Sequence, residues 1–212
     1  MPSLLFGLFL FAAGVVANLN SGLGMGSWGV LSVGLTMNLP LSLGEATQIS
    51  GLVVLILGWV LGSPPGLGTL ANMYFIGLFI DLILAWELIP QPTTLPLQLL
   101  LLLAGIALIG VASFFYLRVQ LGAGPRDGLM MGLIKRLSWP VSAIRGTIEV
   151  IVTATGYLLG GHVGIGTVIT ALVTGYAIQL AFSAGGFKPR EKEQVDLFSL
   201  IRYLSGRGSF PK

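Results

Sequence analysis

The sequence predicts an all-α polytopic membrane protein with six transmembrane helices and two short broken or re-entrant helices, arranged as two inverted repeats. The first observation is composition: the mean hydropathy is +0.91 and only 9% of the 212 residues are charged, which is too apolar for a soluble domain of this size. The second is that several apolar runs approach the roughly 20 residues that a helix needs to cross a bilayer. The third is an internal repeat.

The repeat becomes visible when the chain is shifted by 98 positions without a gap. The GxG motif at Gly24 and Gly26 then falls on Gly122 and Gly124. The GxGT motif that ends at Thr69 falls on the one that ends at Thr167. Two motifs in a single ungapped register favour a duplication over chance matching in a glycine-rich chain.

Each half of the chain has the same predicted order: a span, a short apolar segment and two further spans. The predicted spans are residues 3–20, 44–62, 69–86, 97–117, 141–160 and 167–182, and the short segments are residues 27–39 and 127–137. A helix over the first short segment would cover about 20 Å, less than the roughly 30 Å of a bilayer core. The predicted parts are a first membrane repeat at 3–86, a linker at 87–96, a second membrane repeat at 97–183 and a polar cytoplasmic tail at 184–212. Within the tail, an interfacial helix is predicted from Val195, Phe198, Ile201 and Leu204, which recur at helical spacing.

Three spans in each repeat would make the second repeat inverted relative to the first, an arrangement common among transporters. All eleven Lys and Arg residues lie from Arg118 onward. With the tail in the cytoplasm, the basic residues of the second repeat also face the cytoplasm, as the positive-inside rule requires. We therefore expect both termini to be cytoplasmic. If the short segments crossed the membrane, these charges would be split between its two faces.

The charges that could bind a solute are concentrated in residues 122–149, GAGPRDGLMMGLIKRLSWPVSAIRGTIE. Arg126 and Asp127 stand where a short helix begins. This position indicates either a helix cap with a snorkelling arginine or a site for an anion or carboxylate. Arg145 and Glu149 are four residues apart and could pair on one helix face. A carboxylate at membrane depth is a functional candidate, and the alternative is a structural ion pair.

Asp81 and Gln179 are equivalent under the shift, and they could line a polar path or hydrogen-bond between helices. Thr69 and Thr167 are predicted to be the N-caps of the helices that follow the glycine turns. The glycine loops comprise Gly24, Gly26, Gly66, Gly68, Gly122, Gly124, Gly164 and Gly166. The chain has no cysteine and one histidine, and we expect no metal site, no cofactor and no catalytic residue.

Several of these motifs resemble the YczE/YitT-like family of bacterial integral membrane proteins. The matching strings are GPRDG at residues 124–128, Arg145 with Ile148 and Glu149, and LGGxxGxGT at residues 159–167. Some other members of that family have Trp where Arg126 stands, so the arginine marks a subgroup. The resemblance covers residues 3–185 and implies a location in the bacterial inner membrane. It supplies no activity.

The functional expectation is a transporter of a small solute, such as an anion or a carboxylate, through the inverted-repeat core. The alternative is a non-transporting accessory or scaffold protein of the membrane. An enzyme is not expected, because the chain contains no HExxH motif and no Ser/His/Asp set. The expected partners are the lipid bilayer, an unidentified solute and a second copy of the chain, whereas nucleic acid is not expected because the basic residues are spread over the membrane edges.

Overall fold

A computed structural model describes residues 2–122, 124–187, 195–197 and 199. Within these ranges the chain folds into eight α-helices and no strand. The helices are α1 (Pro2–Asn20), α2 (Ser27–Asn38), α3 (Leu43–Val60), α4 (Leu67–Ala85), α5 (Leu95–Leu117), α6 (Pro125–Arg136), α7 (Val141–Leu158) and α8 (Ile165–Ala184). The all-helical prediction is therefore confirmed for the described residues. Of the interfacial helix predicted in the tail, Phe198, Ile201 and Leu204 lie outside the described residues.

Within the described ranges, five helices are long and apolar enough to cross a membrane, namely α1, α3, α4, α5 and α8. The helix α7 has 18 residues but carries Arg145 and Glu149, and it is not among them. Helices α2 and α6 have 12 residues each, about 18 Å of helix, and lie where the short segments are predicted. The structure thus has five candidate spans, and the count of six stays a prediction.

Two boundary predictions need correction. The helix α5 begins at Leu95, so Pro96 lies in its first turn instead of the linker, where its missing N–H costs nothing. The helices after the GxGT motifs begin two residues before the threonines, with Gly66 and Gly164 as N-caps. The Thr69 and Thr167 hydroxyls accept hydrogen bonds from the backbone N–H groups of these glycines, at 3.0 and 3.2 Å. The threonines therefore stabilise the helix starts from the third helical position and are not themselves N-caps.

Each short helix packs against the other half of the chain: α2 lies against α7, and α6 lies against α3. Glycines allow the backbones to approach closely. A Cβ added to Gly34 would lie 2.5 Å from the Gly156 carbonyl oxygen, and one added to Gly132, its counterpart under the shift, would lie 3.2 Å from the Gly58 carbonyl oxygen. Close approach of this kind is how helices associate in lipid, where apolar burial supplies no driving force.

The glycine loops also form hydrogen bonds between the two halves of the chain. The Gly166 N–H donates to the Leu23 carbonyl of the first GxG loop at 2.7 Å, and the Gly68 N–H donates to the Leu121 carbonyl of the second. Gly24 and Gly122 both have left-handed φ angles, +112° and +114°, which favour glycine. Each half of the chain therefore holds the loop of the other half in place. The main core lies between α1 and α4, beside the packed pair α1 and α5.

Candidate functional site

A cavity of about 980 Å³ lies among the helices, and residues from all eight of them line it. The segment 195–197 also contacts this region: the Val195 N–H donates to the Gln120 carbonyl at 2.9 Å, and the Leu197 N–H donates to the Pro65 carbonyl at 3.0 Å. Val195 is buried and lines the cavity. The cavity is large enough for a drug-sized ligand.

The N-termini of both short helices lie at this cavity. Its lining includes Gly26, Ser27 and Trp28 at the start of α2 and Gly124, Pro125 and Arg126 at the start of α6. Neither N-cap glycine provides a side-chain hydrogen bond to its helix. Because the first backbone N–H groups of a helix have no partner within it, a helix N-terminus carries a partial positive charge. Two such charges from opposite halves of the chain meet at one cavity.

Arg126 adds a full positive charge beside these helix ends. Its guanidinium carbon lies 4.6 Å from the centre of the Trp28 ring, in cation–π geometry. No hydrogen bond or ion pair of this guanidinium is found with any residue in the described ranges. Burial lowers the pKa of Arg126 to about 10, against the opposing effect of Glu149 and then Asp127. The side chain is therefore still a cation at neutral pH, with its N–H donors unused.

Asp127 lies next to Arg126 in the first turn of α6, where a carboxylate is stabilised by the helix dipole. The Tyr116 hydroxyl donates a long hydrogen bond of 3.4 Å to its Oδ2 atom. Burial raises the pKa of Asp127 above its usual range, and Arg145 and Arg126 oppose this effect. A carboxyl group with a raised pKa is more readily neutral, which leaves the positive groups of the site less compensated.

Arg145 and Glu149 reach the same cavity from α7. Arg145 is exposed and Glu149 is half-buried. Although the two residues are only four positions apart, no ion pair within 4.0 Å joins them in the part of the chain that the structure describes. The structure thus brings Arg126, Asp127, Arg145 and Glu149 together at one cavity, on two helices.

Asp81 and Gln179 lie elsewhere. The Asp81 carboxylate accepts hydrogen bonds from the Ser42 hydroxyl at 2.6 Å and from the Gly44 N–H at 2.8 Å, so it joins α4 to the first turn of α3. Gln179 is exposed on α8. Neither residue lines the cavity.

Sequence reasoning missed three residues of this site. An aromatic residue near a segment end is typical of the membrane interface, but Trp28 is 6% exposed and the Arg126 guanidinium lies over its ring. The repeat could have indicated that Trp28 belongs to the site, because Trp28 and Arg126 are equivalent under the shift of 98. The other two are Asn18 and Thr170, which line the cavity and have buried side-chain oxygens that find no hydrogen-bond partner among the described residues. Such unpartnered atoms are uncommon in folded proteins and indicate a ligand or water that completes them.

Residues 1–183 match a family described as a family of unknown function (DUF6198). The chain is 36% identical over 176 residues to an uncharacterized protein of Haemophilus influenzae, covering 83% of this chain and 80% of that one. It is 31% identical over 177 residues to the uncharacterized membrane protein YczE of Bacillus subtilis, covering 82% and 81%. No solved structure matches the chain. The resemblance to YczE is confirmed, and the chain, with five helices apolar enough to span a bilayer, is an integral membrane protein that belongs to the DUF6198 family.

Proposed function

We propose that the protein transports a small organic anion, such as a carboxylate, across the bacterial cytoplasmic membrane. One observation carries this proposal: the N-termini of α2 and α6 and the guanidinium of Arg126 all lie at a single cavity. Helix N-termini bind anions through free backbone N–H groups and through the dipole. Transporters built from inverted repeats place such half-helix ends at a central substrate site.

The contact between Arg126 and Trp28 suits carboxylate binding. The guanidinium carbon lies over the Trp28 ring, 4.6 Å from its centre, and this cation–π contact needs no N–H···O hydrogen bond. The contact therefore holds the arginine without taking up its fork of N–H donors. A carboxylate can accept two parallel hydrogen bonds from that fork, which are stronger than bonds between neutral groups.

In this proposal the two halves are inverted repeats of three spans each, with both termini in the cytoplasm and the short helices re-entrant. Support comes from the packing of α2 and α6, each against the other half of the chain, and from the matching loop contacts of the two halves. Such a pair of halves can expose one site to either face in turn, as alternating access requires. The cluster of Arg145 and Glu149 lies on α7 at the same cavity and would form part of the gate.

Uptake of radiolabelled carboxylates into proteoliposomes tests the proposal. Arg126→Gln removes the charge at the cavity, and Arg118→Gln is the matched control, because Arg118 stacks on Phe114 and Phe115 and does not line the cavity. Hydrogen bonds to charged groups contribute about 1.5–3 kcal/mol, so Arg126→Gln should weaken apparent affinity about 10- to 100-fold. Arg118→Gln should transport as the wild type does. Wild-type uptake by Arg126→Gln, or no carboxylate uptake by the wild type, would reject the proposal and favour an accessory role.

A further inference from the structure

One helix contact of the first half has no counterpart in the second. Helices α3 and α4 pack closely, and a Cβ added to Gly77 of α4 would lie 2.5 Å from the Gly44 carbonyl oxygen of α3. Gly175 is the counterpart of Gly77 on α8, and a Cβ added there would meet no atom of the described residues within 4 Å. Helices α7 and α8 are therefore separated where their counterparts touch.

The sequence explains this separation. In the first half, Asp81 binds Ser42 and Gly44, and the Gln48 Nε2 donates to the Tyr74 carbonyl at 2.9 Å. The positions that would make these bonds in the second half are occupied by Gln179, Pro140, Ser142, Gly146 and Leu172. Pro140 has no hydroxyl to replace that of Ser42, and Gly146 has no side chain to replace that of Gln48. The second half therefore lacks the groups that tie α3 to α4.

The gap between α7 and α8 is continuous with the cavity. The face of α8 that lines the cavity repeats every three or four residues: Ala171, Thr174, Gly175, Ile178 and Phe182. At about 1.5 Å per residue this face extends over roughly 16 Å. Opposite it, α7 contributes Ile148 beside the charged Arg145 and Glu149. The edge of the opening is thus mainly apolar along α8 and charged only at α7.

The outer surfaces on both sides of the gap are apolar and exposed. On α8 these include Leu172, 66% exposed, and Tyr176, 76% exposed, and on α7 they include Val150 and Ile151. Exposed apolar surfaces of this extent on an integral membrane protein face lipid. A cavity that opens between them opens sideways, toward the hydrocarbon of the bilayer.

We propose that the anion is an amphiphile, a long-chain carboxylate that enters from the bilayer, with its carboxylate at Arg126 and its chain leaving between α7 and α8. This inference rests on the proposed function and specifies its substrate class. The positive helix ends and Arg126 fit the head group, and the Thr170 hydroxyl, which has no hydrogen-bond partner among the described residues, offers it a further donor at the cavity. The apolar face of α8 fits the chain. A small carboxylate would leave most of the 980 Å³ unfilled.

Thermal unfolding of the full chain in nanodiscs of phosphatidylcholine tests this inference. A ligand that binds only the folded state raises the melting temperature. Dodecanoate should raise it at much lower concentration than butanoate, because its chain adds contacts along the gap. Dodecyltrimethylammonium, with the same chain and a positive head, should not raise it.

A substitution that fills the gap makes the test specific. Gly175→Leu places a side chain in the opening, and Thr155→Leu is the matched control, because Thr155 is exposed on α7 but does not line the cavity. Gly175→Leu should lose the dodecanoate shift and keep the butanoate shift, whereas Thr155→Leu should keep both. If Gly175→Leu does not fold, Ala171→Leu on the same face should give the same result.

Four outcomes would overturn the inference. If dodecanoate acts no better than butanoate, or if its shift survives both gap-filling substitutions, the alkyl chain of the ligand does not lie in the gap, and the proposed function still stands. If neither acid raises the melting temperature, both proposals fail. If Gly175→Cys, in a chain that has no other cysteine, forms a disulfide between two copies, a second copy covers the gap.

Discussion

At the scale of single residues, Arg126 and Trp28 show why the repeat matters more than residue type. They occupy equivalent positions 98 residues apart, and the structure places them in contact at 4.6 Å. Residue type alone assigns a tryptophan near a segment end to the membrane interface, because interfacial and cavity-facing aromatics look the same in a sequence. Only the exchange of short helices between the halves brings the two side chains together, and no local pattern contains that information.

Asp127 gives a prediction about pH. Its pKa is raised by burial, so ionisation is less favourable in the folded protein than in the unfolded chain. A carboxyl group with a raised folded-state pKa contributes stability at acid pH that is lost as the pH rises through that pKa. Asp127→Asn should therefore melt at a higher temperature than the wild type at neutral pH, and the difference should shrink toward the usual Asp pKa of about 3.9. Melting curves across pH measure this, and a wild type that is more stable than Asp127→Asn at neutral pH would contradict it.

Asp81 gives a prediction about the contact between α3 and α4. Its carboxylate accepts two hydrogen bonds across α3 and α4, at 2.6 and 2.8 Å. Asp81→Ala should cost about 1–3 kcal/mol by leaving the Ser42 and Gly44 donors without this partner. Gln179→Ala, at the equivalent but exposed position on α8, should change the melting temperature little. If both substitutions lower the melting temperature equally in the same assay, the Asp81 hydrogen bonds do not stabilise the first half more than Gln179 stabilises the second.

At the scale of helices, hydropathy and proline positions predicted the number and order of elements well. Every predicted span and short segment corresponds to a helix, with boundaries that differ by a few residues. Composition alone does not decide whether α7 is a span, because this helix carries Arg145 and Glu149, which place it outside the apolar class of the other long helices. The helix starts after the GxGT motifs were misplaced because a threonine can accept the same kind of bond as an N-cap or from the third position.

Close packing of α7 on α2 depends on Gly156 of α7 as well as on Gly34 of α2. A Cβ added to Gly156 would lie 2.5 Å from the Leu31 backbone nitrogen, so Gly156→Ala must push the two helices apart. Overpacking of this kind costs about 1–3 kcal/mol. Gly146→Ala, on the same helix with open space around it, should be neutral or slightly stabilising, because alanine favours helix more than glycine does. Melting temperatures of the two variants measure the contrast, and equal losses would argue against this packing.

At the scale of the whole molecule, the repeat was visible in the sequence but the way its halves combine was not. Periodicity shows that two segments are equivalent, yet it does not show whether α2 packs within its own half or on α7. The sequence did not predict the gap between α7 and α8 either, because this gap is recognised only by comparison with the packed helices α3 and α4. The charges on α7 line the same cavity as Arg126, whereas the pairing of Arg145 with Glu149 was a prediction from their spacing alone.

The proposed topology predicts the location of two segments. The connection between α4 and α5 should lie outside the cytoplasm, and the C-terminus after Lys212 should lie inside it, because an odd number of spans separates them. Alkaline phosphatase and fluorescent-protein fusions at Pro92 and Lys212 should report opposite faces. Reports from the same face would rule out an inverted arrangement of three spans in each half.

The central claim is that Arg126 and the two short-helix N-termini form an anion site, and the fluorescence of Trp28 measures it most directly. Replacing Trp59, Trp86 and Trp139 by Phe leaves Trp28 as the single tryptophan, in contact with Arg126. Titration with a carboxylate should change its emission saturably as the bound anion alters the field at the ring. The change should disappear in Arg126→Gln and persist in Arg118→Gln. No saturable change with any carboxylate, or an unaltered one in Arg126→Gln, would contradict the claim.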